Sequence, residues 1–206
     1  MSSPTRTSEA GQTLGAASCS ALFVRSDSIY KVLGLDCWDA ERDALKWPGG
    51  NQVIAHPPCR AWGVLSHMAK PNPAEMWLAP WAAEQVRIWG GVLEHPAGSR
   101  LFNYLPPLNG FQDDFGGFTI EVDQYHFGHV ANKPTRFYIC GIDPSELPPI
   151  PHRPGKGKKS MTGQVPGTDR CTQYEREYTP ELLAGWLVEI ATSCKQNTKD
   201  MPRQSA

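Results

Sequence analysis

Four short apolar runs alternate along the chain with stretches of helical pattern, and this alternation constrains the fold most strongly. The runs are ALFV at 21–24, QVIA at 52–55, GGVLEH at 90–95 and RFYICGI at 136–142. Short apolar runs bounded by polar or turn residues are typical of strands buried on both faces. Helical patterns lie between them at 27–33 and at 80–89. We therefore predict an α/β fold with a mostly parallel sheet flanked by helices.

The length of 206 residues fits a single domain with a substantial core. We predict that this domain spans 19–195, with a long loop rich in proline, glycine and basic residues at 143–172. A C-terminal helix is predicted at 179–194, with Thr179 as its N-cap, Pro180 in the first helical position and an apolar stripe that includes Leu182. Small polar residues at 1–18 and at 196–206 predict disordered tails.

Charge and cysteine content leave the partner open. The formal net charge is −1, so any contact with phosphate must come from a local basic patch. The six cysteines are scattered without a CxxC pair and without a secretory leader before them, which favours reduced thiols in a cytoplasmic protein. No apolar run approaches the ~18 residues that a membrane-spanning helix needs.

Polar residues follow the apolar runs at the places where a parallel sheet would gather them. In such sheets, ligands bind beyond the carboxyl ends of the strands. Two prolines, Pro57 and Pro58, limit the backbone freedom ahead of Cys59, which suits a nucleophile held in one geometry. The other candidates are His56 and Arg60 beside this cysteine, Glu94 and His95 at the end of the third run, and Lys133 and Arg136 around the start of the fourth.

The order of these motifs resembles the DNA cytosine-5 methyltransferases over roughly residues 20–142. That family has a Pro-Cys nucleophile motif, a Glu-Asn-Val motif and a Gln-x-Arg-x-Arg motif that runs into a strand. Cys59 resembles the nucleophile, Glu94 the glutamate and Arg136 the second arginine of the third motif, while His95 stands where the family has asparagine. The resemblance implies a compact Rossmann-like, methyltransferase-like domain with Cys59, Glu94 and Arg136 as catalytic residues.

The chemistry that the resemblance implies is covalent. The C5 atom of a pyrimidine becomes reactive once a thiolate has added at C6, and negative charge then develops on the ring. Glu94, with a pKa raised beside an apolar strand, is expected to supply a proton or a hydrogen bond near N3. Arg60 and Arg136 are expected to lower the pKa of the thiol and to hold the ring's carbonyl oxygen. The implied substrate-binding residues are Pro58, Arg60, His95, Lys133 and Trp62, the last by stacking on the base.

The donor and the origin of the chain are less defined. The glycine-rich turn that approaches a methyl-donor nucleoside in this family does not follow ALFV, where the chain reads RSDSIYKVLG, although Asp39 resembles the residue that binds the donor's ribose. The donor stays open between S-adenosylmethionine, a folate-borne one-carbon unit, an aldehyde and a leaving group already on the pyrimidine. With no room for a large target-recognition domain after Ile142, the chain resembles truncated phage or prophage forms, which implies the cytoplasm of a bacterium or a phage-infected host.

The sequence thus predicts an enzyme that modifies a pyrimidine at C5, in DNA, with Lys156, Lys158 and Lys159 as candidate phosphate contacts. Two alternatives stay open: a non-catalytic relative that binds DNA or a nucleotide and interferes with or recognises modified DNA, and an enzyme that acts on free nucleotides. No metal is predicted, because no pair of ligands has CxxC or HExxH spacing. The ligand types weighed for zinc are His56, Cys59, His67, His95, His126 and His129.

Overall fold

The computed structural model describes residues 19–64 and 66–197, without the side chains of His67 and Met68. The tail predicted at 1–18 lies outside the described residues, and so does most of the tail predicted at 196–206.

A six-stranded sheet forms the centre of the fold. Across the sheet the order is β2-β1-β3-β4-β6-β5, and the four strands β1 to β4 run parallel. The prediction of an α/β fold with a mostly parallel sheet is therefore confirmed. In chain order the strands are β1 (Cys19–Leu22), β2 (Asp36–Trp38), β3 (Gln52–Ala55), β4 (Gly91–Pro96), β5 (Phe118–Asp123) and β6 (Pro134–Cys140).

The strand predicted from RFYICGI is β6, and it departs from the parallel arrangement. It runs antiparallel to both β4 and β5, the latter being a strand that the sequence did not predict. A parallel return needs a crossover of about a dozen residues or more, usually a helix, whereas the link from β5 holds a short 3-10 turn at Gln124–Phe127. As a result, the amino end of β6 meets the carboxyl end of β4, where Thr135 pairs with Pro96.

Helices cover both faces of the sheet, because successive residues of each strand point to opposite faces. Helix α3 (Leu78–Trp89) packs on one face, in a buried cluster with Val53, Leu93 and Tyr138. Helix α5 (Glu181–Ser193) packs on the other face with α1 (Ile29–Val32), in a second cluster that includes Ile54, Val92 and Phe137. The remaining elements are the short helices α2 (Ser66–Ala69) and α4 (Gln173–Glu177) and a two-stranded parallel sheet of β7 (Lys159–Ser160) and β8 (Asp169–Arg170).

Helix α5 begins one residue later than the sequence predicts. Pro180 takes the cap position, and no side chain makes a capping hydrogen bond there. Leu182 was expected on the buried stripe but is 65% exposed, whereas Leu183 and Leu187 are fully buried. Adjacent residues on a helix lie about 100° apart, so Leu182 and Leu183 face different surroundings. Within the described ranges, every helix is too short or insufficiently apolar to cross a bilayer.

Two glycines give a direct test of how tightly the sheet packs. Gly91 has φ 127°, and a Cβ there would collide with the backbone oxygen of Val53 on the neighbouring strand. Gly91→Ala should therefore lower the free energy of unfolding by about 3 kcal/mol or more. The matched control is Gly185→Ala on the exposed side of α5, where a Cβ meets nothing within 4 Å. Urea titrations should find this control unchanged or stabilised by about 0.5–1 kcal/mol; equal stabilities for the two variants would contradict the packing.

Candidate functional site

A cavity of about 820 Å³ opens where the carboxyl ends of β1, β3 and β4 meet the amino end of β6. It lies at the edge of the sheet where ligands of parallel α/β proteins bind. Among the polar and ionisable side chains that line it are Tyr30, His56, Cys59, Glu94, Gln124 and Lys133. The structure therefore brings six of the predicted residues to one cavity, namely His56, Pro58, Cys59, Arg60, Glu94 and Lys133.

Cys59 reaches the cavity from a turn that follows β3. The backbone N–H of His56 still donates to Leu22 O of β1 at 3.0 Å, so the hydrogen bonding between β3 and β1 continues up to the residue before the two prolines. The carbonyl of Cys59 then accepts hydrogen bonds from the backbone of Trp62 and Gly63, which closes the turn behind the cysteine. Cys59 is half-buried, and the other five cysteines are buried.

Glu94 extends from β4 into the same cavity and is held by two neighbouring side chains. Gln124 Nε2 donates to Glu94 Oε1 at 3.1 Å, and His56 Nδ1 lies 3.2 Å from Glu94 Oε2. The side chains of Glu94 and His56 are each 14% exposed. Gln124 Nε2 also donates to Thr135 Oγ1 at 3.0 Å, which ties the amide to the first residues of β6.

The ionisation of Glu94 corrects the expectation of a raised pKa. Burial alone would raise the pKa of Glu94, but the hydrogen bond from His56 and the positive charge of Lys133 outweigh burial and lower the pKa to about 2. Glu94 is therefore a carboxylate at neutral pH. In the free protein it accepts hydrogen bonds and has no proton to give.

The Cys59 thiol is protonated in the free protein. Burial and the negative charge of Glu94 raise the pKa of Cys59 above its usual 9.0, and the positive charge of Lys133 offsets this increase in part. Lys133 therefore acts electrostatically on both Cys59 and Glu94. It occupies the role that the sequence analysis gave to two arginines.

Arg136 and Arg60 lie away from the reactive centre. Residues paired across neighbouring strands share a face, and Arg136 pairs with His95 whereas Glu94 pairs with Phe137. Arg136 thus lies on the opposite face of the sheet from Glu94, where its Nε donates to Glu121 at 2.8 Å. Arg60 borders the cavity, but its guanidinium forms an ion pair with Glu75. The expectation that these arginines activate the thiol is therefore not met by their geometry.

Trp62 and His95 are core residues rather than contacts for a base. Trp62 is 8% exposed and packs edge-on against Tyr104, with 6.1 Å between ring centroids. His95 is fully buried next to Glu94 in the chain. Burial lowers the pKa of His95 to about 4, although the Glu94 charge and the Pro58 carbonyl both favour the protonated ring. The alternation of β4 explains its position, because His95 and Glu94 point to opposite faces.

Within residues 19–64, the features expected to hold a methyl-donor nucleoside do not fit that role. Asp39 follows β2, but its carboxylate already accepts hydrogen bonds from Lys31 Nζ at 2.6 Å and from the backbone N–H groups of Glu41 and Arg42 at 3.1 Å. The hydrogen bond from Lys31 lowers the pKa of Asp39 to about 2. The chain between β1 and α1 contains no glycine that would allow close backbone approach to a nucleoside.

The basic loop is anchored beside the entry to β6. Gly157 N donates to Asn132 Oδ1 at 2.9 Å, and Lys158 N donates to Val130 O at 2.8 Å. Lys156 and Lys158 are exposed, whereas Lys159 forms a 2.6 Å ion pair with Glu175. Two of the three lysines proposed for phosphate contacts are thus free to meet solvent.

Two residues of the site, Tyr30 and Gln124, were not predicted from the sequence. Tyr30 lies in α1, and Gln124 begins the short turn after β5. No motif marked either residue, because each reaches the site only through the packing of a distant segment. Among the described residues, no three His, Cys, Asp or Glu side chains are grouped so that they could hold a metal.

Comparison with known proteins gives no match, since no protein-family model, curated protein or solved structure is similar to this chain.

The electrostatic role of Lys133 can be tested through the reactivity of Cys59. Lys133→Met keeps the length of the side chain but removes the charge, so the pKa of the thiol should rise further. The rate of iodoacetamide alkylation at Cys59, followed from pH 7 to 10, should shift to higher pH and fall severalfold at pH 8. Arg136→Met is the matched control and should follow the wild-type curve. If Arg136→Met shifted the curve and Lys133→Met did not, the assignment would be wrong.

His95 should make the fold sensitive to mild acid. The unfolded chain binds a proton at His95 below about pH 6.5, whereas the folded protein resists it until about pH 4. Stability from this residue is therefore complete above pH 6.5 and is lost as the pH falls towards 4, by up to about 3 kcal/mol. Urea titrations at pH 7 and 4.5 should show a smaller loss in His95→Gln than in the wild type. His152→Gln, at an exposed histidine, should keep the wild-type loss.

Proposed function

We propose that this chain modifies a pyrimidine base at C5 by adding the thiolate of Cys59 to C6 of the ring. One observation carries the proposal: Cys59 follows β3, Glu94 lies in the neighbouring parallel strand β4, and both line one cavity. Its volume of about 820 Å³ lies within the range of about 300–1,000 Å³ that is usual for ligand pockets. A pyrimidine with its sugar fits such a space.

The ring would meet Glu94 with its hydrogen-bond donors. Because Glu94 is ionised, it accepts hydrogen bonds from the N–H groups of the pyrimidine, such as an exocyclic amine or a protonated N3. Lys133 is the group that offsets the negative charge which develops on the ring. This division of roles replaces the ring acid and the two arginines expected from the sequence.

The covalent step conserves atoms and electrons. Cys59 loses its proton to solvent, and the thiolate forms an S–C6 bond while the electron pair of the C5=C6 bond moves onto C5 and into the ring. C5 then uses that electron pair to form a bond with the carbon of a one-carbon donor, whose bond to its leaving group breaks with the electron pair going to the leaving group. Water takes the C5 proton, the C5–H electron pair restores the C5=C6 double bond, and the S–C6 bond breaks with its electron pair returning to sulfur as the thiolate. The features around Asp39 do not support S-adenosylmethionine as the source of that carbon.

We further infer that the substrate is a nucleic acid and that the domain is methyltransferase-like. The arrangement of the nucleophile strand beside the glutamate strand supports the resemblance to DNA cytosine-5 methyltransferases. The exposed lysines Lys156 and Lys158, on a loop anchored beside the cavity, support contacts with phosphates.

A second candidate function is binding without catalysis. The raised pKa of Cys59 favours it, because a protonated thiol is a poor nucleophile. In that case the cavity recognises a pyrimidine through Glu94, and the chain interferes with or recognises modified DNA.

A pyrimidine that is more electrophilic at C6 tests the proposal without a donor. An oligodeoxynucleotide carrying 5-azacytosine in place of one cytosine keeps the 4-amino group that Glu94 would accept from, and its ring nitrogen at position 5 makes C6 a better acceptor for a thiolate. Intact-protein mass spectrometry should find a one-to-one covalent adduct with the wild type. Cys171→Ser, at a buried cysteine outside the cavity, should form the same adduct. Cys59→Ser should form none.

The outcomes separate the two functions. A wild-type protein that binds the oligonucleotide with salt-dependent affinity and forms no adduct, and whose affinity Cys59→Ser leaves unchanged, is a binding module and not this enzyme. An adduct that forms with the free 5-azacytosine nucleoside as fast as with the oligonucleotide would reassign the substrate to free nucleotides.

A further inference from the structure

A buried tyrosine lies behind His56, one of the two residues that hold Glu94. Tyr30 in α1 is fully buried, and its hydroxyl oxygen lies 3.0 Å from His56 Nε2. The two rings also pack together, with centroids 5.4 Å apart. The other nitrogen of the same imidazole, Nδ1, lies 3.2 Å from Glu94 Oε2. Tyr30, His56 and Glu94 therefore form one chain of hydrogen bonds.

The tyrosine determines which atoms donate and which accept in these hydrogen bonds. Burial, with the charges of Glu94, Cys19 and Cys37, raises the pKa of Tyr30 well above its ordinary value, so the phenol keeps its proton. Among the described residues, His56 Nε2 is the acceptor that the hydroxyl reaches. A nitrogen that accepts a hydrogen bond carries no proton of its own, so a neutral His56 has its proton on Nδ1.

The tautomer of His56 decides how Glu94 is held. With the proton on Nδ1, His56 donates to Glu94 Oε2 while Gln124 donates to Oε1, so both oxygens are fixed. With the proton on Nε2, the lone pair of Nδ1 would face the carboxylate, and the two would repel each other. The Glu94 carboxylate would then turn away from His56, and the N–H groups of a bound pyrimidine would lose their hydrogen-bond acceptor.

We propose that Tyr30 is a positioning residue, whose hydroxyl selects the Nδ1–H tautomer of His56 and thereby orients the Glu94 carboxylate towards the substrate. Helix α1 thus supplies a buried hydroxyl to the site. The catalytic consequence rests on the proposed function, whereas the tautomer does not depend on it. His56 acts in the same way, through Glu94 and not on the substrate.

The tautomer can be measured directly by nitrogen NMR on protein with ¹⁵N-labelled histidine. Wild-type His56 should show Nδ1 as a protonated nitrogen and Nε2 as a nitrogen with a lone pair. Tyr30→Phe keeps the packed ring but removes the hydroxyl, and His56 should then change to the Nε2–H form or to a mixture. The matched control is Tyr125→Phe, which removes a hydroxyl that donates to Pro154 O at 2.9 Å outside the cavity and should leave His56 unchanged.

Two NMR results would overturn the inference: a wild-type His56 protonated on Nε2, or an unchanged tautomer in Tyr30→Phe. The NMR measurement on the wild type needs no variant, so it tests the tautomer of His56 even if Tyr30→Phe fails to fold. In the 5-azacytosine assay, Tyr30→Phe should form the adduct about tenfold more slowly than Tyr125→Phe, the size of effect common for partners that orient a reactive group. Equal rates in the two variants would also overturn it. If the wild type forms no adduct, the proposed function fails, and the tautomer alone decides this inference.

Discussion

A buried carboxylate must have hydrogen-bond partners and compensating charge, and the organisation of this site follows from that requirement at Glu94. An unpaired charge at such a position would cost several kcal/mol. Here His56 and Gln124 each contact one oxygen, and Lys133 adds positive charge nearby. These partners follow β3, follow β5 and precede β6, so the carboxylate is satisfied only when the sheet has assembled in its full order.

The same electrostatics set the chemical character of the cavity. Burial by itself favours a neutral acid, which is the reasoning behind an expected proton donor, but the partners of Glu94 reverse that effect. The negative charge that results then acts on Cys59 and keeps its thiol protonated. In the free protein, therefore, the Glu94 carboxylate is a hydrogen-bond acceptor and the Cys59 thiol keeps its proton. A substrate whose N–H groups donate to Glu94 would offset the negative charge that raises the pKa of Cys59. The positive charge of Lys133 would then favour the thiolate.

The register between β4 and β6 explains why Arg136 matches a family motif in sequence position but does not lie beside Glu94 in the fold. Adjacent residues on a strand point to opposite faces, so a shift of one position decides whether a side chain enters the cavity. Glu94 points towards the cavity, whereas His95 and its partner Arg136 belong to the other face. Lys133 lies just before β6 begins, outside the strict alternation, and so it reaches the site that the arginine does not.

The alternation of apolar runs with helical patterns was enough to determine the α/β class and to place Cys59 and Glu94 at one edge of the sheet, because the carboxyl ends of parallel strands meet there. Tertiary structure alone decided the direction of β6, the ionisation of Glu94 and the presence of Tyr30 and Gln124. The contacts that bring these two residues in join positions 26 and 30 apart in the chain, and no local pattern encodes them. Side-chain direction and charge depend on neighbours that only the folded chain supplies.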